Sequence, residues 1–317
     1  MDDFIKNVPC DTLPAFWDSI SPVGKLFQSP SIVFRGQGLD SWELIPRVFR
    51  GDVLAEFKHG MFAMQEPDHP FETFFEFSLL HEFLYCCDVR GLTVPGDSPD
   101  FREYMTKGPM IVHSISNDKW PDNIIRPFMA LAQHHGIPTR LLDVSSNPYV
   151  AAYFAAVSAI QAYFRETEGQ PRADFARTKR LAVFGIDFGL LHKVAGIDEV
   201  RVPGSTSPNL SAQSGSFLLV ANSGMRGEPF TANVSVEQKL ASLPEISHEL
   251  NTPIDATLLV KVTLPIAYAS ELLRWCRRHG FSAATIFPGY DGAALAAKEF
   301  ILAERFAAGM KPSSHLA

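Results

Sequence analysis

The feature that most constrains this 317-residue chain is a polar stretch at residues 133–147 that runs directly into an almost entirely apolar segment. Its side chains of catalytic type are His134, His135, Thr139, Arg140, Asp143, Ser145 and Ser146. Apolar spacing predicts a helix before the stretch and a helix buried on most sides after it. Polar groups held between buried elements must be hydrogen-bonded, so this stretch is a candidate functional site.

The start of the second helix has the residues of a well-capped N-terminus. Asn147 is placed to cap the helix, and Pro148 to occupy its first turn. The free backbone N–H groups at this end would face Ser145 and Ser146. The sequence therefore predicts a location that favours an anion.

A second polar centre follows a short strand predicted at residues 31–34. The strand ends on Arg35-Gly36-Gln37-Gly38. An arginine at the end of a buried strand, followed by glycines that let a ligand approach the backbone, is typical of a binding site. The pattern is equally compatible with an arginine that pairs with a carboxylate at the edge of the core.

A helix predicted at residues 70–88 carries a cluster of aromatic side chains. The cluster, expected in the core, comprises Phe71, Phe74, Phe75, Phe77 and Phe83. Glu76 lies among these rings, and a buried carboxylate needs a partner. Arg35, Arg47 and Arg140 are the candidate partners, and the pattern favours a structural ion pair.

The second half of the chain is richer in strands than the first. Strands are predicted at residues 180–188, 213–220, 257–265 and 282–287, and a loop at residues 90–118. Because the strands do not alternate regularly with helices, we expect an α+β fold. In this fold a helical N-terminal half packs on a split, mostly antiparallel β core.

The predicted organisation is one main domain with short additions. The predicted units are a helical extension at residues 1–29, the domain at residues 30–306 with a surface excursion at 221–256, and a disordered tail at 307–317. Charged loop residues in the excursion suggest a segment that covers a site. A tail rich in small and polar residues has little to bury.

The charge balance and the cysteine spacing exclude several classes of protein. A net charge of −7 gives no global basic field for a polyanion, which argues against a dedicated nucleic-acid binder. The four Cys have no C-x-x-C spacing, which indicates reduced thiols and no zinc cluster. The sequence shows neither a signal peptide nor an apolar run of membrane-spanning length. We therefore expect a cytoplasmic protein without a membrane partner.

The motifs that are present and missing in the sequence exclude several kinds of site and favour one. His134 and His135 are adjacent and cannot easily bind one ion, and no H-E-x-x-H occurs, so no metal site is expected. A G-x-S-x-G elbow, a Walker loop and G-x-G-x-x-G are all missing from the sequence. The arginine-led pattern suits a dinucleotide such as NAD. The guanidinium of Arg35 would clamp the diphosphate, and the glycine backbone would pair with a carboxamide.

These motifs together resemble the FRG domain, a family named for its Phe-Arg-Gly. The residues that carry the resemblance are Phe34-Arg35-Gly36 with Gln37 and Trp42, the stretch 133–143, the helix at 148–155, Gln213-x-Gly215-x-Phe217, and Phe287-Pro288-Gly289-Tyr290-Asp291-Gly292. The resemblance spans residues 30–300. It does not specify a reaction.

The chain is also distantly similar to ADP-ribosyltransferases of the Arg-Ser-Glu type. The likeness lies in an aromatic-Arg-Gly strand, a Ser/Thr-bearing strand running into a helix, and a short strand opened by a polar residue. It implies the ADP-ribosyltransferase fold, NAD as substrate and cleavage of the nicotinamide–ribose bond. Arg35 would hold the NAD phosphates or ribose, Gly36 would pair with the nicotinamide amide, and Gln213 would lie near the 2′-hydroxyl. The implied cofactor-binding residues are Arg35, Gly36, Gln37, Thr139, Ser145 and Ser146.

The sequence departs from the ADP-ribosyltransferase pattern at its third motif, the short strand opened by a polar residue. ADP-ribosyltransferases carry there a Glu that stabilises an oxocarbenium-like transition state, whereas Gln213-Ser214-Gly215 contains no carboxylate. Losing a preorganised charge raises the activation free energy by about 3 kcal/mol, so a Gln at this position implies a slow or differently organised enzyme. Asp143 or Glu76 would then supply the carboxylate. The catalytic candidates are Arg35, His134, Asp143 and Gln213.

Three functions are compatible with this sequence. The first is an NAD-using ADP-ribosyltransferase-like protein that serves as a toxin or an anti-phage effector. It would act on an unknown protein or nucleic-acid acceptor and have an antitoxin or accessory protein as a further partner. The second is a non-catalytic module that binds a nucleotide or a partner protein. The third is a buried hydrogen-bond network that only stabilises the fold.

Overall fold

The computed structural model is organised around a single seven-stranded sheet within the described part of the chain. The structure describes residues 4–27, 29–57, 72–114, 120–168, 172–189, 191, 197–202, 212–220, 234–241, 243 and 257–310. The strands are Ile5–Pro9 (β1), Ile32–Gln37 (β2), Leu141–Ser145 (β3), Arg180–Asp187 (β4), Ile197–Val200 (β5), Gly215–Val220 (β6) and Leu259–Pro265 (β7). Their order is β1-β7-β4-β2-β3-β6-β5, and only β1 and β7 pair in parallel. The predicted α+β class with a mostly antiparallel sheet is confirmed.

Helices pack on the sheet in the described part of the chain. They are Leu13–Ile20 (α1), Gly51–Phe57 (α2), Glu72–Val89 (α3), Pro99–Ser114 (α4), Arg126–His134 (α5), Pro148–Glu166 (α6), Ala173–Thr178 (α7), Val236–Ala241 (α8), Ala269–Arg278 (α9), Ala283–Ile286 (α10) and Tyr290–Met310 (α11). Short 3-10 turns lie at Arg47–Phe49, Asn123–Ile125 and Ile266–Tyr268. None of the helices in the described ranges combines the length and apolar character that crossing a membrane requires.

Alternate residues of the sheet face two separate cores. On β4, Leu181 and Val183 belong to the cluster that contains α1, α6 and α9. Ala182, Phe184 and Ile186 belong to the cluster on the opposite face. This alternation is what a strand buried on both sides requires. Helices α3, α4 and α5 form a third cluster with residues of β3 and β6.

The sheet is nearly divided between β2 and β3. Strand β2 pairs with β4 along its whole length, from Ile32 opposite Asp187 to Gln37 opposite Ala182. It pairs with β3 only where Phe34 lies opposite Ser145. The predicted split β core is therefore one sheet whose two parts are joined by a single residue pair, and the strands diverge beyond that pair.

Helix α6 fixes the position of β2 as the sequence predicts. The Asn147 side chain accepts a hydrogen bond of 2.9 Å from the Tyr149 N–H, and Pro148 occupies the first turn. A Cβ added at Gly36 would lie 1.9 Å from the Ala151 carbonyl oxygen. The backbone of β2 therefore approaches α6 more closely than any side-chain-bearing residue would allow.

The N-terminal segment differs from the prediction. Residues 1–29 were expected to form a helical extension, and α1 indeed buries Leu13, Phe16 and Ile20. However, the segment also supplies strand β1, in which Ile5 lies opposite Leu259 of β7. The segment is thus part of the sheet.

Two predicted elements are wrong in type. The predicted loop at residues 90–118 contains helix α4, and the predicted strand at residues 282–287 contains helix α10. At α10, the Ser282 N–H donates to the Thr285 hydroxyl at 2.9 Å, which closes a capping box at the helix start. This local satisfaction of the N-terminal N–H groups favours a helical turn over an extended strand.

Several predictions fall partly outside the described residues. Phe75 and Phe77 are buried and Phe83 is partly buried, as the predicted core position requires. Phe71 and the side chain of Phe74 lie outside the described part, as does most of the excursion at 221–256. Helix α11 continues to Met310, past the predicted domain end at residue 306, and residues 311–317 are not described.

Candidate functional site

A cleft of about 990 Å³ opens where β2 and β3 diverge. Its size is that of a site for a large organic ligand. The sequence-predicted residues that line it are Arg35, Gly36, Gln37, His134, Asp143, Ser145 and Gln213. The structure thus brings together residues from β2, α5, β3 and the segment before β6.

Arg35 is the most distinctive side chain of the cleft. Its Nη1 donates a hydrogen bond of 2.5 Å to the Asp143 carbonyl oxygen and lies 3.6 Å from the Asp143 carboxylate. Its side chain is only 16% exposed. The Nε atom is buried and has no hydrogen-bond partner within the described ranges. An unsatisfied buried donor is costly, and Arg35 is a lining residue of the cleft.

Arg50 adds a second guanidinium to the same wall. Burial lowers the pKa of Arg35 and the pKa of Arg50, and the positive charge of Arg50 lowers the pKa of Arg35 further. Asp143 partly offsets the shift of Arg35, and Asp52 and then Asp143 partly offset that of Arg50. These partly desolvated guanidinium groups are groups that can bind an anion through charge-assisted hydrogen bonds.

Asp143 is held by a chain of hydrogen bonds that begins in the core. The buried Thr139 hydroxyl accepts from the Leu141 N–H at 3.2 Å and donates to the Gln133 side-chain carbonyl. The Gln133 amide in turn donates to Asp143 Oδ1 at 2.7 Å. Asp143 remains 61% exposed on the cleft side. The structure therefore does not place Thr139 against the cleft, contrary to its predicted ligand contact, and gives it a supporting role.

The two predicted serines have different positions. The Ser145 hydroxyl donates to the Gln213 carbonyl oxygen at 2.7 Å and accepts from the Asn147 N–H at 3.0 Å. Ser145 lines the cleft, but its hydroxyl already makes two hydrogen bonds. Ser146 does not line the cleft, and its hydroxyl donates to the Ser214 carbonyl oxygen at 3.3 Å. The predicted ligand contact of Ser146 is not supported.

Gln213 enters the cleft from an unusual backbone position. The next residue, Ser214, has a φ of +47°, in the left-handed region. Non-glycine residues adopt this conformation only when the surrounding structure holds them there. Here the Ser145 and Ser146 side chains both bond to this turn, at Gln213 and Ser214 respectively. The turn fixes the approach of Gln213 to the cleft wall.

His134 is the last residue of α5 and lies at the exposed margin of the cleft. Partial desolvation and the neighbouring His135 lower its pKa below the usual value, and Asp143 opposes the shift. The imidazole is therefore neutral near pH 7, a state in which one ring nitrogen accepts a proton.

The glycine of the Phe-Arg-Gly triplet has a packing role. Gly36 is required because the backbone of α6 lies against it. A Cβ added at Gly38 would likewise collide with the backbone of Ser158. The expected reason, approach of a ligand to the glycine backbone, is not needed to explain the residue. Gln37 is 7% exposed, and its amide donates to the Glu43 carbonyl oxygen at 3.4 Å.

Glu76 is part of the core behind the site. Glu76 and Arg140 are fully buried and form an ion pair of 2.7 Å. The Trp120 indole N–H also donates to Glu76, at 2.9 Å. The predicted structural ion pair is confirmed, with Arg140 as the partner. Because Glu76 is enclosed, Asp143 is the one of the two alternative carboxylates that faces the cleft.

Other residues of the cleft were missed from the sequence. They include Arg50, Trp42, Glu43, Asp52, Ser158, Gln161 and Arg165. The last three are polar residues at helical spacing on the otherwise apolar α6. This polar stripe is the sequence pattern that could have identified them as site residues. No group of three or more His, Cys, Asp or Glu in the described part of the chain is placed to hold a metal ion.

Comparison with known families gives one match. Residues 97–163 match the family described as FRG domain, a stretch that includes the polar residues 133–147. Phe34-Arg35-Gly36 lies outside the matched stretch. No curated protein and no solved structure matches the chain significantly, and the predicted similarity to ADP-ribosyltransferases finds no support in these comparisons. Residues 97–163 are thus similar to the FRG domain family, which supports the resemblance predicted from the sequence.

Proposed function

We propose that the cleft binds NAD or a related nucleotide and that the protein cleaves the nicotinamide–ribose bond. The observation that carries this proposal is the buried Nε of Arg35, which has no hydrogen-bond partner in the described part of the chain, together with the nearby Arg50. Two guanidinium groups at such a position can bind a diphosphate through several charge-assisted hydrogen bonds. The volume of about 990 Å³ suits a ligand as large as a dinucleotide.

The proposed reaction breaks the bond between ribose C1′ and the ring nitrogen of nicotinamide. The bonding electron pair leaves with nicotinamide, whose ring becomes neutral, and C1′ acquires oxocarbenium character. The carboxylate of Asp143 would stabilise this positive charge, and the Gln213 amide would bind the adjacent 2′-hydroxyl. Water or an acceptor group then bonds to C1′ and loses one proton, which neutral His134 would accept.

The test compares two arginines that each carry a buried, unpaired Nε within the described ranges. Arg35→Lys keeps a charge but loses the planar fork, and should lower nicotinamide release from NAD about 100-fold or more. Arg126 also has such an Nε, pairs with Asp198 at 3.0 Å and does not line the cleft. Arg126→Lys should therefore leave nicotinamide release unchanged. Equal release by wild type and Arg35→Lys would refute the proposal.

A second candidate function is a binding module without turnover. Two observations favour it: the third motif supplies Gln213 in place of a carboxylate, and Asp143 already lies 3.6 Å from Arg35. Such a module would bind NAD or ADP-ribose saturably and release no nicotinamide. Calorimetry with NAD, ADP-ribose and RNA, combined with chromatography of the NAD samples, distinguishes this function from the first.

A further inference from the structure

The cleft continues along one face of α6. The α6 residues that line it are Val150, Ala151, Phe154, Ser158, Gln161 and Arg165. Fifteen residues of α-helix separate the first from the last, a rise of about 22 Å. The lining changes along this length from apolar side chains to polar ones.

Strand β2 and the turn after it follow α6 in the same direction. Gly36 lies against Ala151, and Gly38 lies against Ser158, about two turns further along the helix. The guanidinium carbon of Arg165 then lies 5.8 Å from the centre of the Trp42 ring. Arg35 and Trp42 therefore occupy well-separated parts of one continuous cleft.

The far part of the cleft has the groups that recognise a base. Trp42 is half-buried and packs against the core cluster of α6, so its ring is held in place. Gln161 and Arg165 are exposed beside it. An indole provides a stacking surface for a base, a Gln amide matches the N6 and N7 atoms of adenine, and an Arg guanidinium stacks on planar groups.

We infer that Trp42, Gln161 and Arg165 form a subsite for an adenine base. The base stacks on Trp42, Gln161 bonds to its N6 and N7 edge, and the flexible Arg165 covers its outer face. This inference rests on the proposed function, because the Arg35 part of the cleft would hold the phosphates of the same nucleotide. The two parts lie along a cleft long enough for a ligand with two nucleoside ends.

The test measures calorimetric dissociation constants for NAD, AMP and nicotinamide mononucleotide. Trp42→Ala should weaken NAD and AMP binding about 5- to 150-fold, because one base–aromatic stack is lost. Binding of nicotinamide mononucleotide should not change, since it has no adenine. Trp42→Phe keeps an aromatic face and should retain most of the affinity. Trp275→Ala, a half-buried Trp that does not line the cleft, is the matched control.

A second variant keeps the inference testable if Trp42→Ala does not fold. Gln161→Leu changes an exposed helix position, so it should fold, and it should reduce the preference for AMP over inosine monophosphate. Unchanged AMP affinity in Trp42→Ala together with an unchanged preference in Gln161→Leu would overturn the subsite. No AMP binding by wild type would do the same. Trp42-dependent AMP binding without nicotinamide release would support the subsite and contradict only the proposed reaction.

Discussion

Arg35 and Asp143 face each other across the point where the sheet almost separates. Arg35 lies one residue beyond the single pair that joins β2 to β3, and it donates to the Asp143 carbonyl oxygen at 2.5 Å. The guanidinium therefore replaces the backbone hydrogen bonds that the diverging strands no longer make. The Nε of the same side chain is buried and has no hydrogen-bond partner among the described residues. Arg35 thus joins the two strands, and under the proposed function it would also bind an acceptor group.

Gln133→Leu should disturb Asp143 without touching it directly. The substitution removes the acceptor of the buried Thr139 hydroxyl and the donor to Asp143 Oδ1. We expect a loss of about 1–3 kcal/mol in the free energy of unfolding, measured by urea titration, because a buried hydroxyl loses its partner. NAD affinity should also fall, since Asp143 is no longer oriented. Unchanged stability and affinity would contradict a supporting role for Gln133, and Gln161→Leu serves as the control for stability.

Glu76→Gln should be among the most destabilising conservative substitutions in the chain. It leaves the fully buried Arg140 beside a neutral side chain. Removing the charge of one partner in a buried ion pair lowers the free energy of unfolding by about 3–5 kcal/mol. Chemical unfolding measures the difference. Glu304→Gln is the matched control, because its pair with Arg274 is about half-exposed and should contribute less than about 1 kcal/mol. A similar loss in both variants would show that burial does not decide the contribution of the pair.

The elements predicted correctly are those with strong local signals. Helix α6 was predicted with its cap because Asn147 and Pro148 precede a long apolar run, and the structure places them as expected. Strand β1 was missed because Lys6 and Asn7 interrupt its apolar pattern, and its pairing with β7 joins residues far apart in sequence. Helix α4 was missed because Gly108 and Pro109 read as a loop. Tertiary contacts override such weak local preferences.

The candidate site was predicted in outline but not in its details. Arg35, Asp143 and Gln213 line one cleft, as expected from the motifs. Thr139 was misplaced because sequence does not reveal which way a hydroxyl turns just before a strand begins. Trp42 and Arg165 could not be paired from sequence, since their contact depends on how β2 crosses α6.

Gly36→Ala distinguishes a packing role from a ligand-binding role. A methyl group at this position would lie 1.9 Å from the Ala151 carbonyl oxygen, so β2 or α6 must shift. We expect destabilisation of about 1–3 kcal/mol or more, seen as a lower thermal midpoint without ligand. Gly51→Ala, where no described atom lies within 4 Å of an added Cβ, should not lower the midpoint. Loss of NAD binding with an unchanged midpoint would instead assign Gly36 to ligand contact.

Glu299 should make the stability of the protein depend on pH. Its carboxyl is buried and bonded to the Tyr153 hydroxyl at 2.7 and 2.8 Å. Burial raises the pKa of Glu299, although the bond from Tyr153 opposes the shift.

The folded protein consequently binds a proton at Glu299 more tightly than the unfolded chain does. Its contribution to stability is complete below the ordinary Glu pKa and is lost as pH rises through the raised pKa. Urea titrations at pH values between the ordinary and the raised pKa measure this loss. The free energy of unfolding should fall more steeply with pH in the wild type than in Glu299→Gln, whose amide has no such proton to lose. Glu304→Gln should keep the wild-type slope, because the Glu304 side chain is 50% exposed. Identical slopes in wild type and Glu299→Gln would show that Glu299 has no raised pKa in the folded protein.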